Sequence, residues 1–124
     1  IHVTQGSGFG YIAVQNAYEN GLEWLNGVLK IIEENYAYAK NFIEQELPKA
    51  TVFELQGTYL MWIDLKPYLQ NSDIIQVLQE KCHLAIDYGD WFGGEDWKYY
   101  IRLNLATKQE NIVQAMENLK RGLK

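Results

Sequence analysis

Between residues 22 and 47 the apolar side chains Leu22, Leu25, Leu29, Ile32, Tyr36, Ala39, Phe42, Ile43 and Leu47 recur at three- and four-residue steps. That spacing follows the 3.6-residue turn of an α-helix, so these side chains share one face, while Glu23, Glu33, Glu34, Lys40, Asn41 and Glu44 fall largely elsewhere. Pro48 has no amide hydrogen to donate and ends the helix. A long helix with one apolar stripe needs a surface to cover, and the sequence after it supplies strands. "TVFEL" (51–55) and "GTYLMWIDL" (57–65) are rich in β-branched and aromatic residues, with Gln56-Gly57 as the kink or turn between them and Lys66-Pro67 closing the second.

The other elements follow from the same signals. Upstream, Phe9, Ile12, Ala13 and Ala17 suit a short helix from Gly8 to Asn20, which Gly21 breaks. Downstream, Ser72 is expected to cap a helix carrying Ile74, Ile75, Leu78 and Cys82, before an extended piece "LAIDY" and a glycine-rich loop "GDWFGG". After the strand "YYIRLNLA" (99–106), Thr107 and Glu110 have the spacing of a capping box. It would open a last helix with Ile112, Ala115, Met116, Leu119 and Leu123 on one face. The order α-α-β-β-α-β-β-α, without internal repeat, predicts an α+β fold: a two-layer sandwich of helices on a small, mostly antiparallel sheet.

Length and charge narrow the function. The 124 residues suit one domain, and 48% hydrophobic with 22% charged residues is a globular composition. A net charge of −5 repels phosphate backbones and anionic lipid, so neither nucleic acid nor a membrane is expected as partner. No apolar run approaches the roughly 20 residues of a bilayer span. Cys82 is the single cysteine, so no internal disulfide can form, which fits a cytoplasmic location.

Few residues are equipped for chemistry. Cys82 falls four residues after Leu78 and reads as a packed thiol. His83 beside it has no metal-ligand spacing, and His2 has no companion motif, so neither a metal site nor a histidine-based catalytic site is expected. Asp90, Glu95 and Asp96 in "GDWFGGEDW" would repel phosphate and lack calcium-loop spacing. The same segment joins a glycine turn to Trp91 and Phe92, which suits either an anchored surface turn or a loop folding over a ligand.

Arg102, one of only two arginines, sits inside the strand "YYIRLNLA". Alternation places it opposite Ile101, Leu103 and Leu105, on the face of Tyr100 and Asn104. It reads as a solvated or salt-bridged strand residue, or as a carboxylate receptor whose planar fork grips two oxygens at any physiological pH.

Taken in order, "FGYIAVQNAYENGLEWLNGVLKIIEENYAYAKNFIEQELP", "GTYLMWIDL", "GDWFG" and "YIRLNLAT" ahead of a final helix resemble the carboxy-terminal part of fold-type-I pyridoxal-phosphate (PLP) enzymes. Within them the chain resembles the cystathionine β-lyase group, related to the maltose-regulon modulator and PatB-type C–S lyases, and also the aminotransferases. The resemblance implies that Arg102 holds the α-carboxylate of an amino-acid or thioether substrate, with Trp91 and Phe92 bordering the cleft. It implies PLP in the intact parent, held by a Schiff-base lysine of a large domain in the same polypeptide, and a homodimeric parent. In the enzymes it resembles that lysine lies in a Ser-x-x-Lys-type segment, which none of the nine lysines matches, since Ser7 and Ser72 have no lysine three positions on. Residues 1–20 are thus expected to be a lead-in from the large-domain side and residues 21–124 the small domain, with no catalytic residue and no cofactor bound to this chain alone. The implied reaction of the parent is α,β-elimination at a C–S bond. Transamination, and a stand-alone interaction domain rich in Tyr and Trp, are the alternatives.

Overall fold

The structure, a computed structural model, describes residues 6–70 and 72–124. His2 lies outside the described residues. Two compact units divide at Lys30–Ile31.

The first unit contains α1 (Gly8–Asn20), the helix expected there. Gly21 closes it, its amide donating to the Ala17 carbonyl at 2.8 Å. No residue of α1 is buried, and Phe9 and Tyr18 are 86% and 89% exposed. Helix α2 (Leu22–Glu46) follows and stops before Pro48, as expected. Its apolar stripe has two fates. Leu22, Leu25 and Leu29 are exposed, whereas in the second unit Ile32, Ala39, Ile43 and the following Leu47 are buried.

The second unit holds a sheet of β1 (Thr51–Val52), β2 (Leu60–Asp64), β3 (Asp87–Tyr88) and β4 (Tyr100–Asn104) in the order β1-β2-β4-β3, antiparallel throughout. Alternation decides its two faces. Met61, Ile63, Tyr88, Ile101 and Leu103 are buried on one side and form the core with the buried stripe of α2 and with Ile112, Met116 and Leu119 of α6 (Gln109–Leu123). The expected α+β sandwich is therefore present, its helices layered on one face of a small antiparallel sheet. Leu60, Trp62, Asp64, Tyr100 and Arg102 alternate onto the other face and are half-buried.

Polar groups tie the layers. Asn35, 1% exposed in the middle of the apolar stripe of α2, donates through Nδ2 to the carbonyls of Leu105 and Thr107, each at 2.8 Å. The Tyr36 hydroxyl donates to the Phe53 carbonyl at 3.2 Å and accepts from the Leu55 amide at 3.4 Å. It thereby takes over where the predicted strand 51–55 leaves the sheet: only Thr51 and Val52 are strand, with one further bond from the Phe53 amide to the Trp62 carbonyl.

Three local expectations are corrected. Ser72 is not the cap: beyond the short helix α3 (Lys66–Leu69), the Asp73 carboxylate accepts from the Gln76 amide at 3.1 Å and starts α4 (Ile74–Gln76), because it stands the right three residues before that amide. The helix then widens into a π-turn, Val77–Lys81, which buries Val77, Leu78 and Cys82 and leaves Ile75 45% exposed. Thr107 and Glu110 do not form a capping box, since α6 begins after Lys108, with no side-chain cap; Thr107 Oγ1 accepts from Asn111 Nδ2 at 2.8 Å instead. The "GDWFGG" stretch is not an irregular loop but carries a helical turn, α5 (Asp90–Gly93), and leads into a 3-10 turn, Glu95–Trp97.

Glu46 at the end of α2 accepts from Lys120 Nζ at 3.0 Å and Lys124 Nζ at 2.9 Å, and those bonds hold its carboxyl below the usual glutamate range. A carboxyl whose pKa is lower folded than unfolded adds stability at neutral pH that is lost as pH falls through its folded-state pKa. Glu46→Gln is therefore expected to lower Tm at pH 7, with the difference from the parent shrinking as thermal melts are repeated toward pH 3.

Candidate functional site

The registers bring Phe53, just past β1, and one residue from each of β2, β4 and β3 into a row across the half-buried face. Val52 lies opposite Ile63, which carries Phe53 to the level of Trp62; Trp62 is opposite Arg102, and Arg102 opposite Asp87. The row reads ring, ring, guanidinium, carboxylate. Neighbours in such a row have Cβ atoms about 5 Å apart, so their side chains meet.

Arg102 is fixed on two sides. Its Nε and Nη2 donate to the single oxygen Oδ2 of Asp87 at 3.0 Å and 2.5 Å. The guanidinium carbon stands 4.1 Å from the centre of the Phe92 ring, a cation–π contact. Nη1 and the outward hydrogen of Nη2 have no hydrogen-bond partner among the described residues. One edge of the fork is thus used for orientation and the other is presented outward. Asp87→Ala is expected to release the anchored edge, so that the Arg102 Nε–H exchanges with water about tenfold faster, the loss of one charge-assisted bond; side-chain 15N NMR measures it.

The turn above the sheet depends on its glycines. A Cβ on Gly89 would stand 2.3 Å from the Trp97 carbonyl oxygen, and Gly94 at φ +71° occupies a backbone region that side chains disfavour. These two allow the chain to fold back so that α5 and the 3-10 turn lie over the row. Trp91 and Phe92 then point to different places. Trp91 packs edge-on against Tyr88 at 5.3 Å and lines, with Asp87, Arg102 and Asn104, a cleft of about 810 Å³. Phe92 lines a second cleft of about 500 Å³ with Phe53, Trp62, Gly93 and Trp97. Sequence reading grouped the two rings at one cleft; the structure brings both to Arg102's neighbourhood but separates them onto two, because adjacent residues of a helical turn point about 100° apart.

Asp87 and Trp62 did not emerge from the sequence as site residues. The alternation of "LMWIDL" and "AIDY" was the available signal, but only the strand pairing tells which residues share a row. Cys82 plays no part in this face: it is buried, and burial pushes its thiol pKa up, which makes it unreactive. Among the described residues no group of three or more His, Cys, Asp or Glu is arranged to hold a metal, and no helix is long and apolar enough to cross a membrane.

Neither cleft is lined by a lysine. The described residues lining these two clefts therefore do not by themselves fit PLP, whose aldehyde needs an amine.

This arrangement is the fold of the carboxy-terminal part of fold-type-I PLP enzymes, the aminotransferase architecture. The PLP-bound C-S lyase from Staphylococcus hominis superposes with a TM-score of 0.89 and 26% identity, over 98% of this chain and 33% of that one. Cystalysin from Treponema denticola, which contains PLP, gives 0.87 and 28%, over 97% of this chain and 30% of that one. Among curated sequences, cystathionine beta-lyase PatB of Bacillus subtilis is 28% identical over 118 residues, 93% of this chain and 30% of that protein. The chain thus spans about a third of the length of the proteins it resembles. No protein-family model matches it.

Proposed function

We propose that this chain is the substrate-carboxylate domain of a PLP-dependent C–S β-lyase that cleaves cystathionine or a related thioether, releasing a thiol, pyruvate and ammonia. The observation that carries the reading is the half-used fork of Arg102. Asp87 and the Phe92 ring hold the guanidinium, and its outward edge is free to take both oxygens of an α-carboxylate through parallel charge-assisted bonds. Similarity to C–S lyases supports the choice of reaction.

PLP, when bound, supplies the electron sink for bond breaking at the substrate α-carbon. The residues of this chain have the binding tasks. Arg102 takes the carboxylate and fixes the orientation of the α-carbon, Trp91 walls the cleft on the Arg102 side, and Phe92 covers a face of the guanidinium. The amine that binds PLP and moves the proton would come from a large domain of the same polypeptide, so the 124-residue chain alone is expected to catalyse nothing. The exposed apolar residues of α1 suit contact with that domain, and the parent is read as a homodimer.

Product analysis tests the reading. A polypeptide in which this chain follows its PLP-binding domain is expected to release pyruvate and ammonia from cystathionine. Transfer of the amino group to a keto acid without pyruvate would move the assignment to an aminotransferase, and failure to bind PLP would return the chain to an interaction domain.

A further inference from the structure

The larger cleft extends past Arg102 to a part of the sheet that is incomplete. Five consecutive residues, 84–88, line it, together with Leu103 of β4 and Ile112 and Ala115 of α6. Only the last two of the five are strand, and among the described residues nothing pairs with the other edge of β3. Register decides which backbone groups are left over. The Gly89 amide donates to the Tyr100 carbonyl at 2.8 Å, so Gly89–Tyr100 and Asp87–Arg102 are bonded pairs, while Tyr88 faces Ile101 in a pair without bonds. The N–H and C=O of Tyr88 therefore point away from β4. The same alternation turns Ile86 outward, and no described carbonyl of the backbone accepts from its amide.

A side chain on this stretch also lacks a partner. Tyr88 is 3% exposed and lines the cleft, and its hydroxyl has no hydrogen-bond partner among the described residues. Buried polar groups are nearly always paired, so such a hydroxyl marks a place where an acceptor belongs. Around it the lining is apolar, with Leu84, Ile86, Leu103, Ile112 and Ala115. An open strand edge, an apolar groove and a buried donor are together what an added β-strand requires: main-chain bonds for its backbone, pockets for alternate side chains and a donor for one carbonyl.

We infer that a single extended segment of the same polypeptide, from the part outside these 124 residues, adds to β3 as a further strand, with apolar side chains toward α6 and one carbonyl accepting from the Tyr88 hydroxyl. Proteins cover such edges because an open one pairs with other chains. The chain spans about a third of the proteins it resembles, so covering polypeptide is at hand, and a tethered segment arrives at a high effective concentration. A second copy would have to bring its own helices with its edge strand, against α6, which lines the same groove. The inference rests on the reading of this chain as part of a longer polypeptide and not on the role of Arg102, which alternates onto the other face of the sheet.

Amide hydrogen exchange resolved to single residues tests it, on the whole polypeptide and on the 124-residue chain. In the shorter chain the Asp87 amide is bonded to β4, and those of Ile86 and Tyr88 are not. The added strand is expected to slow exchange at Ile86 and Tyr88 about 100-fold or more in the whole polypeptide, with Asp87 changed much less, at every protein concentration. Tyr88→Phe, which removes only the hydroxyl, should cut the protection at Ile86 about tenfold, the loss of one buried hydrogen bond. That comparison is made within the whole polypeptide and needs no folded shorter chain. Rapid exchange at Ile86 and Tyr88 in the whole polypeptide, or slowing spread evenly over residues 84–88, overturns the added strand. Protection that grows with protein concentration names a second copy as the occupant and overturns the tethered segment. Pyruvate release by the same polypeptide reads the lyase assignment separately, so either reading can fail alone.

Discussion

Under the proposed carboxylate clamp, Arg102→Lys is expected to raise KM for amino-acid substrates of the whole polypeptide about 100-fold, with kcat changed much less. A lysine ammonium keeps the charge but presents one point where the guanidinium presents two edges, so it cannot satisfy Asp87 and grip two substrate oxygens at once. Losing one of two parallel charge-assisted bonds, and the fixed orientation with it, costs about 2–3 kcal/mol, which is the factor given. The loss falls on binding because the carboxylate is held in ground state and transition state alike. Steady-state kinetics with an S-substituted cysteine checks this. Unchanged KM would remove Arg102 from the site.

The second large effect is on stability. Asn35 reaches from α2 to two carbonyls in the turn that links β4 to α6, and both bonds are 2.8 Å long. Asn35→Leu fills the volume but leaves the Leu105 and Thr107 carbonyls without that donor, in a place water does not reach freely. The expected loss is about 2 kcal/mol, or about 10 °C in Tm for a unit of this size, measured by thermal or urea unfolding. Asn35→Ala should cost more, because it adds a cavity to the missing bonds. A shift under about 1 °C in both would mean that the turn holds itself without α2.

How far the sequence reached is clear from particular residues. The helix Gly8–Asn20 and the stop of α2 before Pro48 were legible because backbone chemistry acts locally, through Gly21 and Pro48. The side of the sheet on which Arg102 lies was legible because strand alternation is equally local. Asn35 was invisible, since a single polar residue within an apolar stripe says nothing about the carbonyls 70 residues away that it serves. Asp87 was read only as part of an extended piece, because β3 is two residues long and owes its existence to pairing with β4. The capping box at Thr107 failed for a similar reason. The Thr107 carbonyl is held by Asn35 and the helix starts one residue after Lys108, a choice made by packing and not by the local motif. Trp62 carries the alternation of its strand, but its role beside Arg102 depends on a register that no local pattern contains.

The role proposed for Arg102 ties these features together, and it has meaning only if the chain works beside a PLP site. The most direct measurement is therefore pyruvate release from cystathionine and S-benzylcysteine by the PLP-loaded whole polypeptide, with the 124-residue chain alone as control. The account predicts pyruvate from the whole polypeptide, none from the control, and saturation that weakens when the substrate's α-carboxylate is replaced by a neutral amide. Pyruvate formation equally efficient with the amide would contradict the carboxylate clamp, and no pyruvate with either thioether would contradict the lyase assignment.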